Sequence, residues 1–242
     1  MMTFRRAAAA AVLFLVIVAG ASGCKFRRDG VSKGAVLRSA LRQKVNSLDP
    51  AFAAEFNSMT LVARAYEGLY QYQYSARPYG LEPALAAAMP EVLEGGRLLR
   101  IRLKKGVYFQ ADSCIQVGRN SNIQSREVTA DDVVYSWNRI LDKALASPGQ
   151  WLLAGKIASL RAVDPQILEV RLTAPEPQFF HAMAMPFLFI VPRECVEHYG
   201  ADFAWHPVGT GPFRLKSHSP KHFEWERNPL YREVTSEGEK LP

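Results

Sequence analysis

LLRIRLKKGVYFQAD at residues 98–112, followed after a polar interval by VTADDVVYSWNRIL at residues 128–141, carries the pattern that decides the fold class. Leu99, Ile101 and Leu103 alternate with Arg100, Arg102 and Lys104, the period of a strand with one apolar and one solvated face. Gly106 interrupts the alternation, and Val107 and Phe109 resume it. Thr129 then stands at a helix N-cap with Asp132 three residues on, a spacing that lets a hydroxyl and a carboxylate satisfy the first free backbone amides. Asp131 and Asp132 fall in the first turn, where the helix dipole favours negative charge, and Val133, Val134, Trp137, Ile140, Leu141 and Leu145 recur at helical spacing. A strand feeding an amphipathic helix predicts a mixed α/β fold.

Working outward, residues 36–41 read as a first strand, and Asn46-Ser47-Leu48-Asp49-Pro50 turns the chain, because the residue before proline is pushed to extended backbone. Asn57 or Ser58 is expected to cap a helix that buries Leu61, Val62, Ala65, Tyr66 and Leu69, with Gly68 near its end. Tyr70, Tyr72, Tyr74 and Tyr79 form an aromatic cluster that either stacks on ligand side chains or covers the core, the commoner role. Glu94-Gly95-Gly96 reads as the tight turn before the central strand.

Downstream, residues 157–163 and 167–172 read as two strands joined at Asp164-Pro165, with Leu168, Val170 and Leu172 on one face. Pro177 opens a helix holding Phe179, Phe180 and Met183. Residues 187–191 are expected as a short buried strand, residues 194–199 as a short helix closed by Gly200, and residues 213–217 with 223–227 as a hairpin. Gly209-Thr210-Gly211-Pro212 lacks the lysine and the spacing of a phosphate-cradling loop and reads instead as a turn where side chains do not fit.

The 242 residues, 48% hydrophobic and 22% charged, suit one or two ordinary domains. Residues 1–24 begin with Arg5 and Arg6, continue through an apolar run over residues 7–19 and end Gly20-Ala21-Ser22-Gly23-Cys24, the pattern of a secretory signal with a lipoprotein-like cysteine. The apolar run falls short of the roughly 20 residues that span a bilayer. Lipidation of Cys24 would tether an otherwise soluble body by acyl chains. Removing Arg5 and Arg6 lowers the net charge from +7 to +5, and the basic residues are dispersed, so a nucleic-acid partner is not supported. Cys114 and Cys195 remain in a compartment that permits a disulfide, and their spacing does not establish one.

An enzyme is the rival class, and its constellations are missing: the sequence holds no GxSxG elbow, no HExxH and no CxxC. Glu194 and His198 stand one helical turn apart, but His181, His206, His218 and His222 do not gather around them at ligand spacing. Helix capping accounts for Asp131 and Asp132. No catalytic residue, metal site or cofactor is therefore assigned.

Several phrases in a fixed order carry a resemblance: LDP (48–50), YEGLY (66–70), EPALA (82–86), IRLKKGVYF (101–109), VTADDVVYSW (128–137), VDPQILEVRL (163–172), IVPRECVEHYG (190–200), PVGTGPF (207–213) and ERNPLYR (226–232). Together they resemble the bacterial solute-binding proteins of family 5, the peptide, dipeptide and nickel-binding receptors of ATP-driven importers. The resemblance implies a periplasmic-binding-protein-like type II fold, of which this chain supplies the first lobe only, the second being absent. Its implied organisation is a signal peptide over residues 1–23 and a tether over 24–34. An incomplete first-lobe subdomain a follows from residues 35–66 and 187–242, and a subdomain b from 67–186.

By the same resemblance, backbone after the LDP turn touches the solute, which points to Ala54, Glu55 and Phe56, and the loop after the central helix points to Gly149 and Trp151. The implied function is a peptide-binding lipoprotein of an ABC importer, truncated to its N-terminal lobe. It would be periplasmic or extracytoplasmic, lipid-anchored to a membrane, with the ABC permease subunits as partners. A non-transporting sensing lipoprotein, or a receptor for nickel or another small solute, is the alternative. Residues 111–127 depart from the family pattern: about a dozen extra residues replace a short aspartate-glycine turn, an insertion that surface loops tolerate at small entropic cost.

Overall fold

The alternation at residues 98–103 becomes the middle of a four-stranded antiparallel sheet in the computed structural model, which describes residues 36–41, 43–73, 76–115, 124–220 and 222–232, with backbone alone at 235–236 and 239–240. The strands are β1 (Tyr70–Tyr72), β2 (Leu81–Pro83), β3 (Glu91–Leu93), β4 (Leu98–Arg102), β5 (Ile157–Asp164), β6 (Ile167–Leu172), β7 (Phe213–Ser219), β8 (His222–Arg227), β9 (Thr235–Ser236) and β10 (Glu239–Lys240). The helices are α1 (Phe56–Ala65), α2 (Ala130–Leu141), α3 (Phe179–Ala182) and α4 (Arg193–Tyr199). The chain divides into residues 1–40 and residues 41–242, and the fold is that of the second unit. The leader, Cys24, the tether, Tyr74 and residues 116–123 of the insertion lie outside the described residues.

The central sheet runs β3-β4-β6-β5, while β1 pairs with β2, β7 with β8 and β9 with β10. Its register sets Leu99 opposite Val170 and Ile101 opposite Leu168, so the apolar residues of both strands share one face. That face is buried, and the other carries Arg100 and Arg102 to solvent. A one-residue slip would exchange the two sets, which is why the alternation fixes the register.

Helix α2 begins as its spacing predicts: Asp132 reaches back to accept from the Thr129 amide at 2.8 Å, the carboxylate half of a capping box. Val133, Trp137 and Ile140 lie in the same core as the buried face of the sheet. Trp137 is fully buried, meets Phe179 edge to face at 6.0 Å and donates from Nε1 to the Leu188 carbonyl at 3.2 Å. A smaller core gathers Val45, Leu48 and Leu61 against Trp205, Leu215, Phe223 and Trp225, and so packs the β7-β8 hairpin against α1.

The glycine turn at residues 209–211 has the close fit expected of it. A Cβ on Gly209 would sit 2.1 Å from the Ala65 carbonyl oxygen, and the Gly211 amide donates to that same oxygen at 2.8 Å. The C-terminal end of α1 is thus covered by backbone that only glycine can bring so near.

Three local expectations are corrected. Residues 36–41 form no strand, since no described strand pairs with them. Asn57 and Ser58 do not cap α1, whose N-cap is Glu55; they lie inside its first turn and bond to the preceding segment, Asn57 Nδ2 donating to the Gln43 carbonyl at 2.7 Å and Ser58 Oγ accepting from the Asn46 amide at 3.3 Å. Residues 187–191 are buried but form no ladder. A short 3₁₀ turn covers Pro186–Leu188, and then the Ile190 amide donates to the Glu67 carbonyl and the Val191 amide to Ser136 Oγ. Those acceptors satisfy the backbone without a partner strand.

The insertion is tied down at both described ends. Cys114 and Cys195 form a disulfide with Cα atoms 4.9 Å apart, Tyr199 Oη donates to Asp112 at 2.6 Å, and Arg126 bridges Asp132 and Glu194. Burial alone would lower the Arg126 pKa, and the bonds to the two carboxylates outweigh it and raise it. Arg126 engages both Glu194 oxygens, so this carboxylate serves a structural bridge rather than the metal pairing with His198 that its spacing allows.

Candidate ligand-binding surface

The LDP turn is a hydrogen-bonded construction. Asp49 is buried and accepts from the Ala51 amide at 3.0 Å, while Ser47 Oγ accepts from the Asp49 amide at 2.9 Å. Pro50 opens the 3₁₀ turn Pro50–Phe52, where its fixed φ suits the first helical position. Arg139, on α2, donates to both Asp49 oxygens at 2.8 and 2.5 Å, a fork-on-carboxylate geometry that fixes direction as well as distance. Burial of Arg139 would lower its pKa, but the bonds to Asp49 prevail and raise it. The turn is therefore clamped to the helix that lines the main core.

Immediately after it come Ala53, fully buried, and then Ala54, Glu55 and Phe56, which emerge toward solvent. Phe56 is 78% exposed although it is the first residue of α1. Burial pulls the Glu55 carboxyl upward, yet hydrogen bonds with Asn46 and Ser58 outweigh it and hold its pKa below the usual value. Glu55 Oε1 accepts from Asn46 Nδ2, whereas Oε2 is buried with no hydrogen-bond partner among the described residues.

The loop after α2 approaches the same turn. Ser147 Oγ donates to the Ala51 carbonyl at 2.6 Å and accepts from the Gly149 amide at 3.1 Å, so one hydroxyl joins the two segments. Gly149 is packed against Phe187, whose Cγ would lie 2.5 Å from a Cβ placed there. Two residues on, Trp151 is 62% exposed, with Lys156 Nζ 6.0 Å from its ring centroid. The structure thus joins the turn that precedes Ala54, Glu55 and Phe56 to the start of the loop that carries Gly149 and Trp151. Phe56 and Trp151 each present a large aromatic ring to solvent. An apolar ring left exposed on a rigid support is the kind of surface a ligand covers.

Sequence reasoning missed the positioning residues. Ser147 and Arg139 act across 96 and 90 residues of chain, and neither separation has a local signature. The tyrosine cluster divides: Tyr70 is buried in the core, whereas Tyr72 and Tyr79 are exposed and meet edge to face at 6.4 Å.

Residues 80–241 match the model of the bacterial extracellular solute-binding proteins, family 5. The chain belongs to that family. Among curated relatives, it is 25% identical to the glutathione-binding protein GsiB of Salmonella choleraesuis over 184 residues, covering 76% of this chain and 32% of the relative. It is 27% identical to the peptide transport periplasmic protein SapA of Salmonella typhimurium over 219 residues, covering 79% of this chain and 37% of that one. Among solved structures, the periplasmic binding protein DppA of Helicobacter pylori in complex with the peptide STSA superposes with a TM-score of 0.68 at 26% identity, over 81% of this chain and 40% of DppA. Listeria monocytogenes OppA bound to peptide shares the fold, with a TM-score of 0.66 at 24% identity over 80% of this chain and 38% of OppA. The chain therefore spans about a third of the length of its curated relatives, and its mixed α/β fold corresponds to one lobe of these type II binding proteins.

Proposed function

We propose that this family 5 lobe forms one wall of a peptide-binding cleft that serves an ABC importer, with Ala54, Glu55, Phe56, Gly149 and Trp151 contacting the solute and no catalytic step. The observation that supports the reading is the Ser147 bridge, which ties the turn preceding Phe56 to the loop preceding Trp151, both of whose rings are exposed. DppA, a structural relative above 25% identity, is described with a bound peptide, and SapA is named for peptide transport. We further propose that Cys24 carries a lipid that anchors the protein to a membrane in the periplasmic or extracytoplasmic space, with the permease subunits as partners. The apolar run and small-residue ending before Cys24 support this. The division into residues 35–66 with 187–242 and residues 67–186 is proposed as well. It is supported by the separate small core of Val45, Leu48 and Leu61.

Two experiments test the reading. Short peptides titrated at millimolar concentration are expected to shift the amide resonances of residues 54–56 and 149–151. Phe56→Ala or Trp151→Ala should weaken that response about tenfold each, since covering one large ring contributes roughly 1.5–3 kcal/mol. Shifts confined to other residues, or a response to nickel and none to peptide, would count against the peptide cleft. For the anchor, Cys24→Ser should move the protein from the membrane to the soluble fraction, and unchanged fractionation would refute lipidation.

A further inference from the structure

At the exit of β4 the chain bends through Gly106 and opens onto a cavity of about 430 Å³, within the range of small-ligand sites. It shares no residue with the surface around Phe56 and Trp151. Its mouth carries Arg102, Lys104, Lys105 and Arg232, and its walls include the buried side chains of Leu103 and Val107. We propose that this cavity binds a small organic carboxylate, its head among the four cations and its short apolar body against Leu103 and Val107.

The charge pattern is the first support. Arg232 is neutralised by Glu67, to whose oxygens it donates at 2.7 and 2.6 Å. The other three have no carboxylate in ion-pair contact among the described residues. Lys104 Nζ donates only to backbone, to the Ala84 and Pro83 carbonyls at 2.7 and 3.2 Å. The strand register explains the contrast with their neighbours. Arg100 stands opposite Glu169 and bonds to it at 2.9 Å, whereas Arg102, two residues on and on the same face, stands opposite Ile167. Arg171 on the adjacent strand is likewise paired, with Glu94. The sheet thus supplies acids to Arg100 and Arg171 and none to Arg102, the strand cation that lines the cavity.

Burial and the nearby Arg232 charge lower the Lys104 pKa, while Glu67 and Glu82 pull the other way without restoring it. Glu127, which does not line the cavity, accepts from the amide of Gly106, which does. A positive field that the protein itself leaves uncompensated favours an anion. The cavity is too large for a bare oxyanion to fill, and its apolar walls make a singly charged head less costly to desolvate than a doubly charged phosphate.

The test uses the whole chain with hexanoate, hexylammonium and inorganic phosphate as probes, followed by amide chemical shifts. Hexanoate is expected to give saturable shifts across residues 103–107, hexylammonium none, and phosphate binding at least about tenfold weaker. Arg102→Ala with Lys105→Ala removes two exposed side chains, so the melting temperature should hold while hexanoate affinity falls at least about tenfold, because a hydrogen bond to a charged group contributes roughly that much. Arg102→Lys with Lys105→Arg should keep most of the affinity. Absence of saturation by hexanoate, unchanged affinity in the alanine pair, equal binding of hexylammonium, or phosphate binding as tight as hexanoate would each overturn the proposal.

Discussion

Replacing Cys114 and Cys195 together by serine is expected to remove about 4.5 kcal/mol of folding stability, the chain-entropy value for closing a loop of this length. The bridge spans 81 residues, from the edge of the insertion to helix α4, so it forbids a large set of unfolded conformations. The other contacts at this junction, Tyr199 to Asp112 and Arg126 to Glu194, cannot take over that role. They form only in the folded chain and leave the unfolded ensemble unconstrained. Since a domain of this kind has roughly 5–15 kcal/mol in total, the serine pair should be close to the threshold of unfolding at body temperature. Urea melts of the oxidised protein and the variant would measure the difference. A loss under about 1 kcal/mol would show that the bridge constrains nothing the remaining contacts do not already hold.

That disulfide marks where sequence reading reached its limit. Two cysteines in the sequence allow a bridge, but only the packing of α4 against the end of the insertion brings their Cα atoms to 4.9 Å. The central sheet and α2 were legible because their signals are local: alternation over residues 98–103 and a cap three residues from its carboxylate. The glycine turn at 209–211 was legible for a similar reason, as three adjacent residues announce a close approach even though its partner, Ala65, lies far back in the chain.

Residues 187–191 and the start of α1 were misread because short apolar or polar runs do not say which partner will satisfy their backbone. The amides of Ile190 and Val191 go to Glu67 and Ser136, and Asn57 turns to Gln43 rather than to its own helix. The candidate surface divides in the same way. The positions proposed to face the solute were taken from phrases resembling the family, while the groups that hold the neighbouring turn and loop, Arg139 on Asp49 and Ser147 on Ala51, are long-range and appear only in three dimensions.

Trp137→Ala is expected to cost about 3–5 kcal/mol, the range for truncating a large buried aromatic side chain. The ring is fully buried and edge-on to Phe179, so truncation leaves a cavity between α2 and α3 that close-packed neighbours can refill only in part. It also leaves the buried Leu188 carbonyl without the indole donor, a loss that Trp137→Phe would isolate at about 1–3 kcal/mol. A change under about 1 kcal/mol in a denaturant melt would mean that α2 does not seat on the sheet through this residue. The consequence for binding runs through the same helix. Arg139 lies two residues beyond Trp137 and clamps Asp49, so loosening α2 should also raise amide hydrogen exchange across residues 51–56. Exchange there that stays at the parent rate while the melt shifts by several kcal/mol would show that the LDP turn is held by Ser147 and its own hydrogen bonds, and that α2 stabilises the lobe without positioning the proposed solute surface.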